Sequence, residues 1–179
     1  MKGGLLVVDV QQGFINPFTH HVPERVARLI ARDRPDPLLF TRFVNTPGGP
    51  YHRFLDWHAC ADAPETDLAP ALVGLTEPAG VYTKPGFTGL PQNLSGFLRA
   101  SGMDEIAIVG IDTDMCVLKV AMDVIDLGIR PIVLVDCCAS TAGLQAHLAG
   151  LAVLARNIGA DQLRDAGLSD GRLGAPPSG

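Results

Sequence analysis

Apolar residues in this chain fall into short continuous runs separated by segments of helical period. The first run, Gly4 to Val10, is broken only by Asp9 near its end and reads as a strand buried on both faces. From Pro23 to Arg34, Val26, Leu29 and Ile30 share one side of a helix whose other side carries arginines. Further strands are predicted over Leu38–Val44, Val81–Lys84, Glu105–Ile111 and Pro131–Val135, the last ending at Asp136. Helices are predicted over Asn93–Ala100, closed by Gly102, over Thr113–Leu127, ended by Gly128, and over Gly143–Asn157, with Gly159 as C-cap. Asp161-Gln162-Leu163 reads as a short edge strand. Between Asn45 and about Pro78 no period emerges; the stretch is rich in Pro, Gly, His and Asp. A connection of that length inside a compact domain is functional or carries short helical turns, and Pro47 to His58 is the best candidate for a lid or for a contribution between subunits.

Strand and helix alternate about every 30 residues, which calls for a parallel sheet with helices on both faces. The fold class is α/β: a three-layer α/β/α sandwich in one domain over residues 1–168. A Gly/Pro-rich tail, expected to be flexible, occupies residues 169–179. No internal repeat or low-complexity block interrupts the domain.

Composition narrows the function classes. Hydrophobic residues make up 47% and charged residues 18%, the formal net charge is −5, and the fourteen Lys and Arg form no basic run. Nucleic acid and anionic membrane are therefore not expected partners. No stretch approaches the roughly 20 apolar residues that span a bilayer, and the opening apolar run is too short for a signal segment. The expected location is the cytoplasm. Cys60, Cys116, Cys137 and Cys138 show neither a disulfide framework nor zinc-ribbon spacing, so they are read as thiols.

The residues that close the strands carry the chemistry. Asp9 ends the first, Lys84 ends the third, and Cys116 lies near the start of the helix after the fourth. In a parallel sheet, ligands gather beyond the carboxyl ends of the strands, and all three side chains come to that edge. A thiol near pKa 8.5 needs its thiolate stabilised to act at neutral pH. The helix start, capped by Thr113 or Asp114, and the Lys84 charge are two agents for this. Asp9 is placed to take the thiol proton and return it to a leaving group.

Four ordered segments resemble those of isochorismatase-like hydrolases. Val8-Asp9-Val10-Gln11-Gln12-Gly13-Phe14 resembles the D-x-Q-x-x-F opening, and Thr83-Lys84-Pro85-Gly86-Phe87 the lysine strand. Val109 to Val117 is similar to the G-x-x-T-D-x-C-V nucleophile segment, the most specific of the four. Val135-Asp136-Cys137-Cys138-Ala139-Ser140, with His147 downstream, fits D-x-x-A-S and its following histidine.

The resemblance implies a six-stranded, mostly parallel sheet and a catalytic triad of Cys116, Asp9 and Lys84. It also implies a cis peptide at Ile111–Asp112 and an oxyanion hole from the backbone N–H groups of Asp112 and Cys116. The implied reaction is attack on an amide-like carbonyl (amide, ureide or carbamoyl), release of ammonia or an amine, and hydrolysis of a thioester. Cys116 points to the amidase branch.

Metal-binding nicotinamidases carry Asp-x-His directly after the second strand, where this chain reads Thr41-Arg42-Phe43-Val44-Asn45, without ligands. His52, Asp56 and His58 lie about a dozen residues later and are read as loop hydrogen-bonding groups, so neither metal nor cofactor is expected. Phe14, Phe43, Trp57 and Phe87 are candidates for an apolar substrate slot, and Arg42 or Arg53 for a substrate carboxylate. The rivals are a metal-dependent nicotinamidase-like amidase and a non-catalytic binding or assembly module, the latter disfavoured by the three intact residues. An Asp-nucleophile phosphatase would need D-x-D where Gln11 stands, and no G-x-G-x-x-G follows a strand. The helix from Cys116 to Leu127, apolar around most of its circumference, predicts a homo-oligomer.

Overall fold

A computed structural model of the protein describes residues 3–75, 77–86 and 89–168. Its strands are β1 (Gly4–Val8), β2 (Leu38–Phe43), β3 (Val81–Lys84), β4 (Glu105–Ile111), β5 (Arg130–Ala139) and β6 (Leu163–Arg164). Its α-helices are α1 (Val22–Asp33), α2 (Pro50–Leu55), α3 (Gln92–Ser101), α4 (Leu118–Asp126) and α5 (Leu144–Ile158). The strands form one parallel sheet in the order β3-β2-β1-β4-β5-β6. Chain order runs outward in both directions from the β1/β4 pair, so the topological switch point lies between those two strands. The expected α/β architecture is the one observed.

The alternation of side chains along β1 divides the core. Leu6 and Val8 face a cluster with Leu94 and Leu98 of α3, Val120 and Val124 of α4, and Leu154 and Ile158 of α5. Leu5 and Val7 face the opposite layer, with Val22, Val26, Leu29 and Ile30 of α1. Both faces of β1 are thus sealed from water, and each such side chain contributes about 1.5–3 kcal/mol of transfer free energy. Slipping β1 by one residue would leave both clusters mismatched and carry Asp9 off the site.

Three departures from the sequence reading shape the active edge. β1 stops at Val8 because Asp9 turns the chain with φ 50°, a left-handed conformation that Asp tolerates better than most residues. β5 continues four residues past Val135, to Ala139, and its register against β4 shifts between Ile108 and Gly110. Gly110 sits at that shift with φ 136°, and a Cβ there would lie 2.1 Å from the Val8 carbonyl oxygen, so only glycine fits. The helix expected over Thr113–Leu127 opens as a π-helical turn, Thr113–Val117, before α4 begins. The aperiodic stretch after β2 contains α2 and two short 3₁₀ turns, Pro70–Leu72 and Pro78–Gly80. At the far edge, Asp161 and Gln162 belong to another 3₁₀ turn, and the edge strand is Leu163–Arg164. The Gly/Pro-rich segment 169–179 lies outside the described residues.

Candidate active site

Asp9, one residue beyond β1, is fully buried, and Thr41 on the neighbouring strand holds it at two points. The Asp9 N–H donates to Thr41 Oγ1 at 3.2 Å, and the Thr41 hydroxyl donates to Asp9 Oδ1 at 2.7 Å. The second carboxylate oxygen, Oδ2, lies 2.7 Å from Lys84 Nζ at the end of β3. Lys84 is also fully buried, its ammonium reaching toward the Gly86 carbonyl at 3.5 Å and standing 6.0 Å from the Phe43 ring centre. Burial alone would depress the Lys84 pKa, but the Asp9 carboxylate, with Cys116 beside it, outweighs this and holds the ammonium above its ordinary value.

Cys116, in the π-helical turn after β4, completes the cluster: its thiol lies close enough to the Asp9 carboxylate and the Lys84 ammonium for both to act on its charge. The electrostatic balance differs from that expected of a preformed thiolate. Burial pushes the thiol pKa up, the Asp9 charge pushes it further, and Lys84 offsets only part of this. The resting group is therefore a thiol with a base at hand, rather than an anion stabilised by a helix start.

The turn carrying Cys116 is anchored by Asp112. Its carbonyl accepts from the N–H groups of Met115 at 3.2 Å and Val117 at 3.0 Å. Its carboxylate accepts from the Thr141 N–H at 2.5 Å and the Thr141 hydroxyl at 2.9 Å, tying the end of β4 to the loop after β5. Burial raises the Asp112 pKa, and the two Thr141 hydrogen bonds work against that rise. The peptide bond between Ile111 and Asp112 is cis.

Cys116 opens onto a cleft of about 380 Å³ whose walls are mostly apolar. Phe14, Phe43 and Trp57 form one side, with the Trp57 ring stacked on both others at centroid distances of 6.5 Å to Phe14 and 5.6 Å to Phe43. Tyr51 of α2 backs this group edge-on against Phe43 and Trp57. Asn16, Thr141 and Asp112 supply polar atoms, and Leu55 and Met115 stand at its wall with much of their surface exposed. No Lys, Arg or His lines the cleft among the described residues.

The family model described as "Isochorismatase domain" matches residues 4–164. The chain belongs to the isochorismatase domain family. A nicotinamidase/pyrazinamidase of Mycobacterium tuberculosis is 36% identical over 104 residues, covering 56% of this chain and 48% of that protein. The chain thus spans about half the length of that curated relative. Among solved structures, an isochorismatase-like hydrolase from Alkaliphilus metalliredigens superposes with TM-score 0.79 at 20% identity, covering 93% of this chain and 96% of that one. An N-carbamoylsarcosine amidase from Thermoplasma acidophilum gives TM-score 0.75 at 24% identity, covering 96% and 100%. These two show that the isochorismatase-like fold is shared.

Within this isochorismatase domain, Asp9, Lys84 and Cys116 meet, and Phe14, Phe43 and Trp57 line the cleft beside them. Phe87 lies outside the described residues. The arginines do not reach the cleft: Arg42 donates to the Thr83 hydroxyl at 2.9 Å on the sheet surface, and Arg53 lies over the Phe54 ring. His52, Asp56 and His58 meet one another instead, with the two imidazole centres 4.3 Å apart and His58 Nε2 2.9 Å from Asp56 Oδ1. Among the described residues no group of three or more His, Cys, Asp or Glu is arranged to hold a metal ion.

Two supporting residues were not singled out from the sequence. Thr41 is one, a polar residue next to Arg42 in a strand whose other residues are apolar. Gln11 was noted as a motif letter; its buried amide brackets Phe43, accepting from the Phe43 N–H at 2.7 Å and donating to the Phe43 carbonyl at 2.9 Å. That bracket fixes the aromatic wall relative to Asp9.

Proposed function

We propose that this isochorismatase-family protein is a cysteine hydrolase cleaving the C–N bond of a small, uncharged amide through a thioester. The supporting observation is the buried Asp9–Lys84 pair in contact with a thiol that opens onto an apolar cleft. As Cys116 Sγ attacks the carbonyl carbon, its proton passes to Asp9, and Lys84 limits the accumulation of negative charge in the closed site. The carbonyl oxygen becomes an oxyanion facing the backbone N–H groups of Asp112 and Cys116. Asp9 returns the proton to the leaving nitrogen, the C–N bond breaks, and an acyl thioester remains. Water then attacks the thioester carbonyl, giving its proton to Asp9. The C–S bond breaks, the acid departs, and the proton returns to Cys116.

The cleft narrows the substrate class. Its aromatic walls suit a flat or alkyl acyl group, and without a cation among its described lining residues a substrate carboxylate has no partner. This favours neutral amides, as the name of the mycobacterial nicotinamidase/pyrazinamidase also suggests, over carbamoyl amino acids such as the N-carbamoylsarcosine of the Thermoplasma enzyme. Ammonia release from neutral aryl and alkyl amides should exceed that from N-carbamoyl amino acids by about 100-fold in kcat/KM, as for one unpaired buried charge. Equal rates would remove the neutral-substrate reading.

No helix among the described residues is long and apolar enough to cross a membrane. The acidic net charge and four free thiols fit a reducing compartment such as the cytoplasm. Self-association is proposed from the outer surfaces of α4 and α5. Met122 and Ile125 on α4, and Leu144, Leu148 and Val153 on α5, are exposed, and α5 carries no charged residue before Arg156. Sedimentation should give a species of at least twice the 18.9 kDa chain mass; a clean monomer would remove this part of the proposal.

A further inference from the structure

The π-helical turn that carries Cys116 is gripped from one side by α5. Gly150 packs so closely that a Cβ there would lie 2.7 Å from the Asp114 Cα and backbone nitrogen. One turn earlier on α5, His147 Nδ1 lies 2.8 Å from the hydroxyl of Thr113, the first residue of the π-helical turn. Thr113 is fully buried and His147 half-buried, so this is a partly buried hydrogen bond between the helix and the turn. Burial lowers the His147 pKa, which Asp114 partly opposes, so the ring is neutral at and above neutral pH. His147 does not line the substrate cleft; it faces a second, smaller cleft of about 260 Å³ with His21, Asp136 and Ser140.

We propose that His147 is a positioning residue, setting through Thr113 the turn that aims Cys116 at Asp9 and Lys84. This rests on the assignment of Cys116 as the nucleophile. The physical reason is the asymmetry of the turn's support. Asp112 fixes its start through Thr141, and Gly150 limits its approach to α5, but Gly150 offers contact without direction. The Thr113–His147 bond is directional and joins a buried hydroxyl to a helix rooted in the core by Leu154 and Ile158. A shift of about 1 Å in a reacting group can cost up to about 100-fold in rate, so a single directional bond next to the nucleophile matters.

The test reads thiol reactivity directly and needs no substrate. The rate of Cys116 carboxamidomethylation by iodoacetamide, followed by peptide mass spectrometry, is compared for the wild type, His147→Ala, His147→Asn, Thr113→Val and the double variant Thr113→Val/His147→Ala. His147→Ala and Thr113→Val should each slow the reaction about 10- to 100-fold. Asparagine presents a polar atom where Nδ1 stood and should restore the rate to within about threefold, which simple packing would not do. The double variant should be no slower than either single, because both remove the same bond. If His147→Ala is too unstable to prepare, Thr113→Val and His147→Asn decide the matter. Additive losses, or wild-type rates in Thr113→Val, would overturn the proposal. If wild-type Cys116 reacts no faster than Cys60, Cys137 or Cys138, the nucleophile assignment itself fails and this inference with it.

Discussion

Replacing Cys116 with alanine should lower amide hydrolysis by about 10⁴-fold or more while the protein stays folded, because a two-step covalent mechanism has no substitute for its nucleophile. The side chain removed is small, buried and only one sulfur larger than its replacement, so the stability change should stay within about 1 kcal/mol. Ammonia release and a thermal melt on the same preparation check both halves. The other thiols cannot take over. Burial raises the pKa of all four thiols, and only Cys116 among them lines the cleft. Residual turnover within about tenfold of the wild type would end the thioester reading.

The second large effect concerns the buried ion pair. Asp9→Asn or Lys84→Met should each cost about 3–5 kcal/mol of stability, because each leaves one charge in a fully buried site without its counter-charge. The pair Asp9→Asn/Lys84→Met should recover much of that loss while remaining inactive. Denaturant midpoints set beside turnover separate the two roles: a double variant as unstable as the singles would mean that the pair is not an isolated electrostatic unit. The pH dependence has a definite sign. The folded-state pKa of Lys84 is raised above its unfolded value, so its contribution to stability is complete below about 10.5 and is lost as pH climbs through the folded value. Lys84→Met should therefore flatten the alkaline limb of the stability curve, which titration of the melting temperature above pH 10 would reveal.

Much of this could be read from the chain because apolar runs mark strands, and what ends a buried parallel strand lies at the ligand edge. Asp9 and Lys84 were legible on that ground, and Cys116 through its short distance from Ile111. The rest depends on tertiary packing. Nothing in Leu38–Phe43 marks Thr41 as the residue opposite Val8 that fastens Asp9. The π-helical turn at Thr113–Val117 was hidden because its residues carry an ordinary helical pattern into α4. α2 was hidden for the opposite reason: six residues with proline, histidine and arginine are too few to establish a period. The direction of the Cys116 pKa was misjudged because burial outweighs both the nearby cation and the helix start, and depth of burial has no local code. Arg42 and Arg53 illustrate the same limit, since strand and loop positions alone did not tell that both turn away from the cleft.

The strand order has a consequence for how this site is held through thermal fluctuation. Asp9 and the Cys116 turn emerge from β1 and β4, the two central strands, each hydrogen-bonded on both sides. Lys84 ends β3, an outermost strand paired along one flank only, over four residues. Edge strands open at lower free energy than central ones, so amide protons of β3 should exchange with solvent well before those of β1 and β4. Each such opening would carry off the ammonium and leave acid and thiol in place. The proposed catalytic unit is thus assembled across a gradient of local stability, and the fraction of time it is complete is set at the rim of the sheet rather than at its centre.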